Sequence, residues 1–245
     1  MFTLYKYETI DSTNTEAKRL LQGDDMFLGN FSVPCVITAK GQTAGRGRQG
    51  KSFYSPDSTG LYMSIVDEFP ADEKVAALIT IRASMAVAEA IFKCTGIRVG
   101  IKWVNDLYMG KRKICGILAE SVIAHGKHYV IVGIGVNIST ESFPTEISGI
   151  AGSLGVKAAS AQKIIDELCM QIAENILSIK KGAYCDMERY REHSVVLGKE
   201  VEYEKNGSSY CGTAVEITEM GCLAVELSDG TKDILRSGEI SLKKW

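Results

Sequence analysis

The spacing of apolar residues predicts alternating strands and helices along the first three quarters of the chain. Residues 34–40 and 60–66 are short, apolar and β-branched, which is typical of buried strands. Residues 74–94 carry apolar side chains at helical spacing. A second amphipathic helix is predicted for residues 160–181, with a shorter helix after Gly182.

Capping and turn signals add a first helix and a hairpin. Thr13 and Glu16 have the spacing of a capping box, and Gly23 supplies a stop, so a short helix is predicted between them. Residues 113–124 and 128–138 are two strand-like runs that flank His-Gly-Lys, which is a strong hairpin signal.

The pattern changes after about residue 193. Short alternating strands follow, separated by the turn sequences Lys-Asn-Gly, Met-Gly and Ser-Asp-Gly. This pattern predicts a small β-barrel of about fifty residues. We therefore expect one domain over residues 1–194 and a second over residues 195–245.

Composition narrows the classes of protein. The 245 residues include 28 Lys and Arg against 30 Asp and Glu, so no global positive field favours nucleic acid, and any anion site is local. The seven cysteines form no C-x-x-C pair, which favours reduced thiols. His125 and His128 flank a predicted turn and are interpreted as surface residues. The N-terminus lacks an apolar signal core and no run is long enough to span a membrane, so we expect a cytoplasmic protein.

The stretch "GRGRQGKS" (45–52) matches the pattern of a phosphate-binding P-loop in full. A P-loop needs a helix that begins at its Lys-Ser pair. Pro56, Gly60 and three serines follow instead, and they disfavour a helix there. We conclude that the match is coincidental and that this is not a P-loop.

The same stretch still has unusual chemistry. Residues 40–56 contain four cations and no acid, and four glycines lie within residues 41–50. Glycine lets backbone N–H groups approach a ligand, and arginine pairs bidentately with carboxylate or phosphate. An anion-binding loop is favoured, and a solvated basic loop is the alternative.

Five segments resemble the motif set of biotin–protein ligases, in the same order. They are "DSTN" (11–14), "GQTAGRGRQGKSF" (41–53), "KWVNDLYMGKRKICGIL" (102–118), "GIGVNI" (133–138) and "GEISL" (238–242). Each motif alone is weak, but the ordered set covers nearly the whole chain.

The resemblance implies an α+β fold. It has a catalytic domain similar to class II aminoacyl-tRNA synthetases, with helices packed on one side of a mixed sheet, and then an SH3-like barrel. The implied activity joins biotin to ATP, with Mg²⁺, to form biotinyl-5′-AMP and pyrophosphate. Biotin is then transferred to one lysine of a biotin carboxyl carrier protein or domain.

The resemblance also implies site residues. Those at biotin are Ser12, Thr13, Asn14, Gln42, Arg46, Gly47, Arg48, Lys113, Gly116, Gly133 and Gly135. Those at ATP and the adenylate are Arg46, Arg48, Phe53, Asn105, Lys113 and Asn137. The catalytic residues are Lys113, Arg48 and Asp106. Lys113 would contact both the carboxylate and the α-phosphate, and Asp106 would orient the carrier amine or accept its proton. The metal ligands stay open.

Several alternatives stay open. "DSTN" could act only as a helix cap, Trp103 only as a core aromatic, and Asp106 as a structural or metal-binding carboxylate. The family's usual loop is richer in arginine than this one, where Gln49 and Lys51 stand, and Val104 replaces a common proline. A lipoate–protein ligase and a binding module without catalysis are the competing functions.

The expected partner is the biotin carboxyl carrier protein or domain. Binding to DNA or to a membrane is not expected. Only 11 residues precede Ser12, which leaves no room for the helix-turn-helix domain of ligases that also act as repressors. Both a monomer and a homodimer stay open.

Overall fold

A computed structural model describes residues 2–23, 29, 31–69, 73–178, 186–236 and 238–243, without the side chains of 73–77. The elements in chain order are β1 (Thr3–Ile10), α1 (Thr13–Gln22), β2 (Cys35–Gln42), β3 (Gly60–Glu68), α2 (Glu73–Thr95), β4 (Gly100–Lys102), β5 (Asp106–Met109), β6 (Arg112–Ala124), β7 (Lys127–Asn137), α3 (Ala158–Ser178), α4 (Met187–His193), β8 (Glu200–Lys205), β9 (Ser208–Ile217), β10 (Leu223–Leu227), β11 (Lys232–Leu235) and β12 (Ile240–Leu242).

The first seven strands form one mixed sheet in the order β1-β2-β3-β7-β6-β5-β4. Strands β1 and β2 are parallel, and every other neighbouring pair in this sheet is antiparallel. Along β7, Ile134 and Val136 point into the main core, while Gly133 and Gly135 lie on the opposite face.

Helices cover the two faces of this sheet unequally. Helices α2 and α3 pack together on the face that carries the main core. The short α1 packs on the other face, where Ala17 and Leu21 join a second apolar cluster with Ile37 and Ile131. Because α1 packs mainly against β2, β3, β6 and β7, it leaves the far end of that face largely uncovered by a helix.

The last five strands form an antiparallel sheet in the order β11-β10-β9-β8-β12. The buried indole of Trp103 ties it to the first sheet, because Trp103 Nε1 donates to the Gly221 carbonyl at 2.9 Å. The main apolar core also continues into this sheet. The mixed sheet and the antiparallel C-terminal sheet agree with the predicted architecture. The expected packing of the helices on one side alone is wrong for α1, which lies on the face opposite α2 and α3. The boundary at residue 194 stays a prediction.

Most predicted elements are confirmed, with the hairpin as the clearest case. Strands β6 and β7 pair in register, and His125 and Gly126 between them both have positive φ. His125 and His128 are exposed, as predicted. The six cysteines that the structure describes are unpaired, and Cys185 lies outside the described residues.

The predicted capping box at the start of α1 is wrong. Ser12 is the N-cap and makes no side-chain capping bond. The Thr13 hydroxyl instead contacts Gln42 and Ser64, and the Glu16 carboxylate pairs with Arg19. The side chains of Thr13 and Glu16 therefore bond to these other partners and do not cap the helix.

The rejection of a P-loop is confirmed. A single 3₁₀ turn, Arg48–Gly50, follows the loop glycines, and the chain then runs without a helix to β3. The helix N-terminus that would hold phosphates in a P-loop is not present there. Among the described helices, none combines the length and the apolarity needed to cross a membrane.

Candidate functional site

A cavity of about 770 Å³ opens on the face of the first sheet that α1 leaves uncovered. The glycine-rich loop lies beside it, and residues 238–241 of the C-terminal sheet form part of its wall. Every residue that the sequence assigned to biotin, ATP or catalysis lines it: Ser12, Thr13, Asn14, Gln42, Arg46, Gly47, Arg48, Phe53, Asn105, Asp106, Lys113, Gly116, Gly133, Gly135 and Asn137.

One end of the cavity is a buried polar network around the start of α1. Gln42 Oε1 accepts from the Thr13 backbone N–H at 2.9 Å, and Gln42 Nε2 donates to Ser55 Oγ at 2.9 Å. Ser64 Oγ lies 2.7 Å from Thr13 Oγ1 and 2.6 Å from Asn14 Oδ1. These bonds fix donors and acceptors at a closed end of the cavity, which suits a small neutral polar ring.

Glu120 holds Asn14 in its orientation. Asn14 Nδ2 donates to Glu120 Oε2 at 2.8 Å, and Lys18 Nζ lies 2.7 Å from Glu120 Oε1. Burial alone would raise the pKa of Glu120, but the hydrogen bonds from Lys18 and Asn14 outweigh it, so the pKa lies below its ordinary value. The Glu120 carboxylate therefore stays charged at neutral pH and fixes which way the Asn14 amide points.

Glycines form the floor of the cavity. Gly116 and Gly135 are directly paired across β6 and β7, and the ring of Phe53 lies over both. A Cβ on Gly135 would approach Phe53 Cε1 to 2.5 Å, and one on Gly133 would approach Asn14 Oδ1 to 2.2 Å. Glycine is needed at both positions because the facing side chains come closer than any Cβ allows.

Charged residues occupy the middle of the cavity. Lys113 Nζ lies 2.7 Å from Asp106 Oδ1 across the β5–β6 pair. Arg48 Nη1 donates to Asn105 Oδ1 at 2.9 Å, and Asn105 Nδ2 donates to the Ile117 carbonyl at 2.9 Å. A lysine and an arginine are thus held beside the glycine floor, where an anionic group would meet both.

The glycine-rich loop is tied down by its cations. Arg46 lies 3.7 Å from the Glu120 carboxylate, and Lys51 pairs with Glu239, which directly precedes β12 of the C-terminal sheet. With the bond from Arg48, the loop has contacts on three separate parts of the fold. This arrangement favours an ordered anion-binding loop over a freely solvated one.

Asn137 is a buried amide with one free acceptor. It is 4% exposed, and its Nδ2 donates to the Gly152 carbonyl at 2.9 Å. Its Oδ1 is buried and has no hydrogen-bond partner among the described residues. A buried acceptor of this kind is matched by a ligand with an N–H donor.

Sequence reasoning missed part of the cavity wall. Lys102 and Tyr108 line it from β4 and β5, and Tyr54 meets Phe143 edge-on near the segment that carries Ile150. Lys102 and Tyr108 could have been found from the sequence, because both lie in the motif segment 102–118. No local pattern marked the segment after β7, because its apolar residues have neither helical nor strand spacing.

The fold and the site together are typical of enzymes that activate a carboxylic acid with a nucleotide. The cavity has a polar closed end, a floor without side chains, and cations where two anionic groups would meet.

The family model described as the biotin/lipoate A/B protein ligase family matches residues 7–137. The bifunctional ligase/repressor BirA of Bacillus spizizenii is 30% identical over 235 residues, covering 88% of this chain and 69% of that protein. The biotin–[acetyl-CoA-carboxylase] ligase of Mycobacterium tuberculosis is 26% identical, covering 84% of this chain and 77% of that protein. The chain belongs to the biotin/lipoate A/B protein ligase family.

Solved structures of biotin protein ligases match this chain over its full length. The biotin protein ligase of Aquifex aeolicus, in complex with biotin and ATP, matches with a TM-score of 0.80 and 27% identity over 100% of both chains. The same enzyme without ligand matches with a TM-score of 0.75. These matches confirm the predicted fold class, including the small C-terminal sheet.

Proposed function

We infer that this chain is a biotin–protein ligase. It activates biotin with ATP to biotinyl-5′-AMP and transfers biotin to a lysine of a biotin carboxyl carrier protein or domain. The observation that carries this conclusion is the cavity itself: all five motif segments meet there, in a fold that matches a ligase solved with biotin and ATP over its whole length.

We propose that the closed polar end of the cavity binds the ureido ring of biotin. A ureido group presents N–H donors and a carbonyl acceptor, which need partners once they are buried. Ser12, Thr13 and Asn14 line that end, with the side chains of Thr13 and Asn14 held in place by their neighbours. The glycine floor then leaves room for the ring and for the apolar valeryl chain.

In the first reaction a biotin carboxylate oxygen attacks the α-phosphorus of ATP, and the bond to the leaving pyrophosphate breaks. The two reactants are both anionic, so fixed cations must offset their repulsion. We propose that Lys113 bridges the carboxylate and the α-phosphate, with Arg46 and Arg48 on the phosphate side. All three cations line one cavity.

Mg²⁺ is proposed to arrive with the nucleotide. The described residues contain no cluster of three or more metal-binding side chains. Mg²⁺ commonly keeps several waters and binds substrate phosphates with one or two carboxylates. Asp106 and Glu239 are the carboxylates that line the cavity, so these two would hold the ion. Bound there, it would neutralise phosphate charge.

In the second reaction the carrier lysine attacks the acyl carbon of the mixed anhydride, and AMP leaves. Only about one lysine in a thousand is neutral at pH 7.4, so the amine must lose a proton near the site. We propose that Asp106 orients this amine or accepts its proton. In the free protein Asp106 is paired with Lys113, and a biotin carboxylate at Lys113 would compete for that pairing.

Replacing Asp106 with Asn tests this role, because asparagine keeps the shape but accepts no proton. We expect transfer from presynthesised biotinyl-5′-AMP to the carrier to slow by about 10- to 100-fold. Single-turnover transfer of labelled biotin measures this. The exposed Asp57, replaced in the same way, is the matched control. Unchanged transfer in D106N would show that the carboxylate is structural.

Asn137 is proposed to read the adenine base. The free Oδ1 acceptor would pair with the 6-amino group of ATP, whereas the 6-carbonyl of GTP would bring two acceptors together. We expect N137A to raise the KM for ATP about tenfold and to narrow the preference for ATP over GTP, with biotin affinity unchanged. Initial rates with both nucleotides measure this. A preserved preference in N137A would place the base elsewhere.

A lipoate–protein ligase belongs to the same family and is the competing function. Competition between biotin and lipoate in an adenylation assay separates the two. We expect biotin to be activated and lipoate at equal concentration to leave the rate unchanged. Activation of lipoate in preference to biotin would overturn the assignment. A binding module without catalysis would bind biotin and release no pyrophosphate.

The remaining expectations stay predictions. These are a biotin carboxyl carrier protein or domain as partner, the absence of DNA binding, and a cytoplasmic location.

A further inference from the structure

Lys102 is a half-buried cation at the edge of the cavity; it begins the motif segment 102–118, but the resemblance assigns it no role. It ends β4, the edge strand of the first sheet, and lies opposite Asp106 in the β4–β5 pair. Its Nζ is 5.8 Å from the centroid of the Tyr108 ring. Its side chain is among those that line the cavity wall.

The other two lysines of the cavity are already paired, and Lys102 is not. Lys113 has Asp106 and Lys51 has Glu239, whereas within the described parts of the chain the Lys102 ammonium group forms no ion pair and no hydrogen bond. Burial lowers the pKa of its ammonium group, against an opposing effect of Asp106. A partly buried ammonium without a counter-ion is costly, so a bound anion would stabilise it.

The order of the strands indicates which anion this is. Asn14 packs against Ser64 of β3 and Gly133 of β7. Lys113 lies near the start of the next strand, β6, and Lys102 lies on β4. Neighbouring strands are about 4.8 Å apart, so Lys102 is about 10 Å beyond the strand of Lys113. A substrate with its ring at Asn14 and its carboxylate at Lys113 would place the leaving phosphates of ATP at Lys102.

We propose that Lys102 binds the β- and γ-phosphates of ATP and the pyrophosphate that leaves. This inference rests on the proposed function. When the biotin carboxylate oxygen forms its bond to the α-phosphorus, the bond from the α-phosphorus to the bridging oxygen breaks. That oxygen leaves with the electron pair. The Lys102 ammonium donates hydrogen bonds to the pyrophosphate oxygens as their charge rises and transfers no proton.

The test separates the two half-reactions, because biotinyl-5′-AMP lacks the phosphates that Lys102 would bind. We expect K102M to lower kcat/KM for ATP in biotin-dependent pyrophosphate release by about 10- to 100-fold, and to raise the inhibition constant of pyrophosphate similarly. Transfer from presynthesised biotinyl-5′-AMP should change by less than about twofold, and K102R should recover most of the ATP effect.

The matched control is K111M, which removes an exposed lysine from the β5–β6 turn outside the cavity. Equal losses in both half-reactions of K102M, or unchanged inhibition by pyrophosphate, would overturn the proposal. If the wild-type protein released no pyrophosphate with biotin, the proposed function would fail instead. In that case, calorimetric titration of wild type and K102M with pyrophosphate would test the phosphate-binding role of Lys102 by itself. Equal affinities in the two proteins would contradict that role.

Discussion

Replacing Lys113 with Met is expected to lower the rate of biotinyl-5′-AMP formation by about 100- to 1000-fold. Lys113 lies beside the glycine floor and is the cation nearest to Gly116, where the biotin carboxylate and the α-phosphate would meet. Its charge offsets the repulsion between them, and this effect is largest in the transition state. Biotin-dependent release of pyrophosphate measures the loss.

The matched control for K113M is K127M. Lys127 is also an ion-paired lysine, 2.8 Å from Glu68, but it lies at the hairpin end of β7, outside the cavity. We expect K127M to retain the wild-type rate. K113M also leaves Asp106 without its partner, so thermal unfolding of both variants should be compared. A folded K113M that forms the adenylate at a near-normal rate would remove Lys113 from the mechanism.

Replacing Gly133 with Ala is expected to weaken biotin binding by about 100-fold and to destabilise the protein by about 1–3 kcal/mol. The new Cβ would lie 2.2 Å from Asn14 Oδ1, so Asn14 must move. That movement breaks the bonds from Asn14 to Ser64 and Glu120 and removes the orientation that the ligand needs. Calorimetric titration with biotin measures the affinity, and thermal unfolding measures the stability.

Gly149 provides the control for this substitution. A Cβ there meets no atom within 4 Å, so G149A should keep both the affinity and the stability of the wild type. Normal biotin binding by a folded G133A would show that the closed polar end of the cavity is not the ureido site.

Elements with a local signal could be predicted from the sequence, and elements that depend on distant partners could not. The β6–β7 hairpin was predictable because its turn residues, His125 and Gly126, lie between two long apolar runs. Strand β1 was missed because it is an edge strand without a buried residue, whose parallel partner β2 is remote in sequence. Strand β5 was missed because four residues carry too little pattern.

The same distinction applies to the site. The motif segments supplied the residues of the cavity wall, because glycines and cations at fixed spacing are visible in the sequence. Their partners were not visible: Glu120 for Asn14, Glu239 for Lys51 and Ser64 for Thr13. Each of these pairs joins residues at least fifty positions apart, so only the register of the sheet and the packing of the C-terminal strands bring them together.

The most direct test of the proposed ligase activity is pyrophosphate release from ATP and Mg²⁺ by the purified protein, with and without biotin and a biotin carboxyl carrier domain. We expect a single burst with biotin alone, because the adenylate stays bound, and sustained turnover once the carrier is added. Phosphate or pyrophosphate release that is indifferent to biotin would contradict the ligase assignment and would require another function for the loop at residues 45–52.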